Sequence, residues 1–144
     1  MNVKGLMSVE ILLISEDDIV YQQTKRVLDE QAKLTVISFE EIKEKLYIHI
    51  PYDILIIDFN QTKVTEREFK TILDIKCRSK IPILALMEKS SISDQFEVLS
   101  MGALDFLKRP VKDEVYAQKI NQLYKWKWYY DWEKKKVSDE DHGK

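Results

Sequence analysis

The residues best placed to do chemistry are carboxylates at the ends of apolar runs. Asp58 closes the run Asp53-Ile54-Leu55-Ile56-Ile57-Asp58, and Glu16-Asp17-Asp18 follows a second run, Ile11 to Ile14. Both runs are short, large and rich in β-branched residues, as suits strands buried on both faces. A lone Asp at a strand end most simply caps the loop that follows. Two acidic clusters on neighbouring strands of a parallel sheet are a different matter. Their repulsion is costly unless a cation is shared or protons are taken up. Hard oxygen donors gathered in this way read as a Mg²⁺ site.

The rest of the chain supplies the elements that would bring those carboxylates together. Val9 to Ile14 reads as the first strand, and Glu16 to Asp18 as an acidic loop opening a helix. That helix carries Ile19, Val20, Thr24, Val27 and Leu28 at helical spacing. The second strand is centred on Leu34 to Ile37. Ser38 and Glu41 then form a capping-box pattern for a helix that ends before Pro51. Asp53 to Ile57 is the third strand and Glu66 to Lys76 the next helix. Ile81 to Met87 is the fourth strand, with Pro82 at its start. Ser93 to Met101 reads as a helix capped by Gly102, Leu104 to Leu107 as the fifth strand, and Asp113 opens a last helix to about Lys136. The tail, Val137 to Lys144, is polar and expected to fray. Five alternating strands and helices with short connections specify an α/β fold with a doubly wound parallel sheet. The flavodoxin-like strand order 2-1-3-4-5 makes the first and third strands neighbours, so the acidic loop and Asp58 meet at the switch point.

Composition narrows the function classes. A chain of 144 residues with formal net charge −2 fits one domain and lacks the basic balance of a nucleic-acid-binding segment. One cysteine, Cys77, rules out an internal disulfide, and two histidines, His49 and His142, build no convincing triad or metal set. Three glycines leave no phosphate-cradling loop. No apolar run approaches the ~20 residues of a membrane span, and Met1 to Met7 lacks the pattern of a signal peptide. A cytoplasmic location is expected.

With these segments in view, the chain resembles the receiver domain of bacterial two-component response regulators over about residues 8–125. Ile11-Leu12-Leu13-Ile14-Ser15-Glu16-Asp17 resembles the family's first strand and acidic loop. Asp53 to Asp58 resembles its phosphoacceptor strand, and Gly102-Ala103-Leu104-Asp105-Phe106-Leu107-Lys108-Arg109-Pro110 its Gly-Ala…Lys-Pro ending. The resemblance implies a signalling domain, not a substrate-converting enzyme. Asp58 would accept a phosphoryl group from the phosphohistidine of a sensor histidine kinase, with Mg²⁺ holding the transferring oxygens. It assigns the metal to Asp58, Glu16 or Asp17, and the carbonyl position of Asn60, and the phosphoryl contact to Arg109 in place of the usual lysine. The gapless register puts Ser15 at the family's first acidic position and Glu16 at the second; a one-residue slip would make Glu16 and Asp17 the pair. Met87 stands where a hydroxyl residue is usual, Glu88 where a small one is, and Phe106 where a switch tyrosine is common. The peptide bond before Pro110 is expected to be cis.

These departures leave two principal readings open: a phosphorylatable receiver with altered switch residues Met87, Glu88 and Phe106, and a pseudo-receiver that works as a phosphorylation-independent interaction or dimerisation module. An unrelated flavodoxin-like enzyme or nucleotide binder is a third. By resemblance, the signalling face would include Glu97, Ser100, Met101 and Lys108. The last helix adds a feature of its own. Tyr116, Ile120 and Leu123 are core positions, but the helical pattern continues through Trp126, Trp128, Tyr129, Tyr130 and Trp132. Residues 126–144 therefore read as an aromatic and basic extension plus a tail or linker. Trp126, Trp128 and Trp132 are its candidate interface residues, for a homodimer or for an output domain such as that of a transcriptional regulator. Asp131 and Glu133 argue against a membrane-surface helix.

Overall fold

The computed structural model describes residues 9–30, 32–38, 40–41, 52–59, 81–88 and 91–142, with 101 and 134–142 as backbone alone. Its elements are β1 (Glu10–Ile14), α1 (Asp18–Val27), β2 (Lys33–Ile37), β3 (Ile54–Phe59), β4 (Ile83–Glu88), α2 (Ile92–Met101), β5 (Asp105–Arg109) and α3 (Asp113–His142). The five strands form one parallel sheet in the order β2-β1-β3-β4-β5. This is the expected flavodoxin-like order, with β1 and β3 adjacent and Ile14 opposite Ile57.

Alternate residues of each strand feed opposite faces of the sheet. Leu12, Ile14, Leu55, Ile57, Ala85 and Met87 build one core with Val98 of α2. Ile11, Leu13, Ile54, Ile56, Leu84 and Leu86 build the other with α1 and α3. Every residue of β3 is buried, which is why its sequence shows a continuous apolar run instead of alternation. Tyr116, Ile120 and Leu123 are the buried face of α3, as their spacing requires.

Local sequence signals set the helix ends. Asp17 is the N-cap of α1, and its carboxylate accepts from the Ile19 N–H. Ser91 and Asp94 make a reciprocal capping box at the start of α2, a signal the sequence reading passed over. Ser38 and Glu41 make the same exchange where the next helix begins, as expected. Gly102 takes φ 124° after α2, a left-handed position that suits a residue without a side chain. At the head of α3, Asp113 receives both Arg26 and Gln23, which holds its carboxyl down at about 2.

Several expectations need correction. Ile19, grouped by spacing with Val20, Thr24 and Val27, is 75% exposed; the buried stripe of α1 is Val20, Thr24 and Val27, and Ile19 lies one residue off it. On α2, Val98 makes the core contact, while the apolar Phe96 and Leu99 are exposed, which no expectation addressed. The fifth strand starts and ends later than its apolar residues suggest, because backbone pairing continues through Lys108 and Arg109 opposite Met87 and Glu88. Likewise β3 continues past Ile57, so Asp58 and Phe59 are still paired with β4. The last helix runs unbroken to His142, so residues 137–142 of the stretch expected to fray are helical in their backbone. The expected helix 66–76, the remainder of the one after Ser38, and the positions of His49, Asn60 and Cys77 lie outside the described residues.

Candidate functional site

Three strand ends and one helix start converge on Asp58. Ser15 directly follows β1, so it falls beside Asp58 of β3. Its hydroxyl donates to Asp58 Oδ2 at 2.7 Å. The same oxygen of Ser15 accepts from the Asp17 N–H at 3.0 Å, which ties the acidic loop to the strand end. Arg109, the last residue of β5, reaches across the carboxyl edge of the sheet. Its Nη1 donates to Asp58 Oδ1 at 3.0 Å and its Nη2 to Asp17 Oδ2 at 2.8 Å. One guanidinium therefore bridges two carboxylates. A planar fork can do this; a lysine ammonium is a single point. The bond between Arg109 and Pro110 is cis, as the resemblance implied.

The Asp58 side chain has no exposed surface, and both of its oxygens are bonded. Burial raises its pKa from the ordinary carboxylate value, and the opposing pull of Ser15 and Arg109 does not cancel that. Asp17 goes the other way: the hydrogen bond from Arg109 lowers its pKa, helped by the N–H groups at the start of α1. Burial works against the charge of Arg109, but Asp17, Asp58 and Glu88 outweigh it and hold the guanidinium protonated.

The other anticipated site residues are distributed around this cluster. Glu16 is exposed and takes no part in the hydrogen bonding. Met87 is buried in the core, while Glu88 is exposed at the end of β4. Phe106 is half-buried against the same core as Met87. Asn60 lies outside the described residues. Beside the cluster, a cleft of about 500 Å³ is lined by Asp18, Ile19, Gln22, Glu88, Arg109 and Pro110.

As arranged, the described residues do not fit a divalent cation. Mg²⁺ demands a near-octahedral set of oxygens. Here the two available carboxylates already bond Arg109, the third family position is a serine hydroxyl, and among the described residues no three acidic, histidine or cysteine side chains gather. Ser15, at the family's first acidic position, acts as a donor to Asp58, a role its residue type at that position does not announce. Arg109 makes a second contact, to Asp17, beyond the expected phosphoryl contact. The 92-residue separation from Asp17 left no local signal for the second.

The five-stranded 2-1-3-4-5 parallel sheet is the flavodoxin-like, CheY-like fold, and the comparisons with known proteins support a likeness to receiver domains. The chain is 25% identical over 119 residues to the response regulator protein GraR of Staphylococcus epidermidis, covering 81% of this chain and 52% of that one. It thus spans about half the length of the curated relatives it matches. Among solved structures it resembles a two-component response regulator from Clostridium difficile, with TM-score 0.65, 16% identity, and 81% and 96% of the two chains covered. It resembles full-length FixJ from B. japonicum, with TM-score 0.69, 18% identity, and 85% and 60% covered. An adenylate cyclase structure from Rhodopirellula baltica is similar too, with TM-score 0.75, 18% identity, and 92% and 98% covered. No family model matches the chain.

Proposed function

We propose that the chain is the receiver module of a two-component signalling protein and that Asp58 is its input residue, taking a phosphoryl group from the phosphohistidine of a sensor histidine kinase. The observation that carries this is the contact of Arg109 with both Asp58 and Asp17 at the carboxyl edge of the sheet. In the transfer, an oxygen of Asp58 forms the new bond to phosphorus while the phosphorus–nitrogen bond breaks and the imidazole leaves. Arg109 supplies positive charge for the phosphoryl oxygens, and Ser15 holds the other carboxylate oxygen in place. Mg²⁺, the ion such sites use by resemblance, would have to share the Asp17 and Asp58 carboxylates with Arg109. The test is incubation with a phosphorylated histidine kinase, or with a small phosphoramidate donor, followed by intact-protein mass measurement. Wild type is expected to gain one hydroxylamine-labile phosphoryl group and Asp58→Ala none. A wild type that stays unmodified would refute the reading.

A second reading, a phosphate-independent interaction module, is favoured by the sealing of Asp58 and by a switch path made of Met87 and Phe106 without hydroxyls. The cytoplasm as compartment and transcription regulation as output belong to the first proposal.

The partner surface is proposed to lie on α3, through a second copy of the chain. Trp128 and Tyr129 are 52% and 60% exposed, and Trp126 stacks on Tyr130 with ring centroids 5.4 Å apart. Aromatic surface of this kind concentrates in interface cores. Replacing both Trp128 and Trp132 by Ala is expected to lower self-association in sedimentation runs. An unchanged profile counts against this surface.

A further inference from the structure

We infer that Arg109 is the resident cation of this site: its guanidinium, held between Asp17 and Asp58, supplies the positive charge that a bound Mg²⁺ would otherwise bring, so the wild-type chain holds its acidic edge closed without a divalent ion. The inference deepens the receiver reading and rests on it only for the identity of the site.

Three features of the cluster carry it. First, one oxygen of Asp58 and one of Asp17 are already the acceptors of Nη1 and Nη2, at 3.0 and 2.8 Å. A metal would have to share those carboxylates with a cation already in place, against like-charge repulsion. Second, the negative charge to be balanced is smaller than two acidic clusters imply. Ser15 contributes a hydroxyl where a third carboxylate would stand, and that hydroxyl is committed to Asp58. Glu16 stays out in solvent. Third, the fork is well seated. The Arg109 side chain is only 16% exposed, and it extends from a strand whose last residue pairs with Glu88. A compact ammonium lacks the planar fork that fits both carboxylates at once and would hold them less firmly.

The test is a titration of the intact chain with MgCl₂ alone, read by amide NMR at Ser15, Asp17 and Asp58 and repeated with Mn²⁺ for paramagnetic broadening. Wild type is expected to show no saturable shift at millimolar Mg²⁺. Arg109→Ala is expected to bind with an affinity at least about tenfold higher, the scale on which metal-site neighbours act. Arg109→Lys keeps the charge and guards against a failure of the alanine variant to fold. It is expected to bind more tightly than wild type, since the ammonium holds the two carboxylates less firmly than the fork does.

Saturable binding by wild type with the affinity of either variant would overturn the inference. So would the absence of any gain in both variants. Phosphoryl uptake at Asp58 is scored separately and without reference to these titrations. A chain that accepts no phosphoryl group yet gains Mg²⁺ binding on loss of Arg109 refutes the receiver reading and leaves the resident cation standing. The converse result separates them the other way.

Discussion

Arg109→Ala is expected to lose about 3 kcal/mol of stability at neutral pH, the lower end for removing one partner of a buried ion pair, since the guanidinium keeps some exposure. The loss comes from what is left behind. Asp58, fully enclosed in the wild type, keeps Ser15 as a side-chain donor, and Asp17 loses the contact that most depresses its pKa. The pH dependence has a definite sign. The folded pKa of Asp58 is raised, so the folded chain holds that proton more tightly than the unfolded one. Its contribution is fully present below the unfolded pKa and is lost as pH rises through the folded value. Asp17, with a depressed pKa, contributes above its unfolded value and loses that contribution as pH falls. Removing Arg109 raises Asp58 further and abolishes most of the Asp17 depression. Both changes cost most at neutral pH and least in acid. Urea midpoints measured at neutral pH and again in the acid range should converge for variant and wild type as pH falls. Equal midpoints at neutral pH would mean that Arg109 does not hold the site together.

The largest effect is expected deeper in the fold. Tyr116 is fully buried between α1 and the sheet, and its hydroxyl lies 2.7 Å from Thr24 Oγ1. Thr24 already donates to the Val20 carbonyl, so the Tyr116 hydroxyl is the donor between them. Burial raises the phenol's pKa well above the usual range and keeps it protonated for that role. Tyr116→Ala removes a whole ring from the α1–α3 core and should cost about 4 kcal/mol. Against a typical domain stability of about 5–15 kcal/mol, that leaves the fold marginal. Tyr116→Phe keeps the ring and removes one hydrogen bond, for about 1 kcal/mol. Denaturation of the pair separates packing from polar contact. A Tyr116→Ala midpoint no lower than that of Tyr116→Phe would show that the ring is not a core element.

The fold was legible in the sequence wherever burial imposed a simple rule on composition. Ile11 to Ile14, Ile54 to Ile57 and Ile83 to Leu86 lie in strands covered on both faces, so every position must be apolar, and the runs stand out. Tyr116, Ile120 and Leu123 were legible for the complementary reason: one face of a helix repeats with a fixed period. Ile19 misled because apolar character does not itself mean burial, and it sits off the buried stripe of α1. At the site, Asp58 and Arg109 could be singled out from the ends of apolar runs and the segment before Pro110. The joining of Asp17 to Arg109, and of Ser15 to Asp58, depends on which strand ends lie side by side. Contacts across 92 and 43 residues leave no trace in local spacing. Gln23, which bonds the Val111 carbonyl and Asp113, escaped notice for the same reason.

The unbroken course of α3 has a mechanical consequence. From Tyr116, gripped in the core, to Trp132, the helix advances about 24 Å, and a tilt of about 5° at its base would carry the far rings by about 2 Å. The base is held by Arg26 and Gln23 of α1 on Asp113, and α1 itself is capped by Asp17, one of the two carboxylates in the grip of Arg109. A change of charge at Asp58 that loosened that grip would thus act at the short end of a lever arm, with the tryptophans riding on the long end.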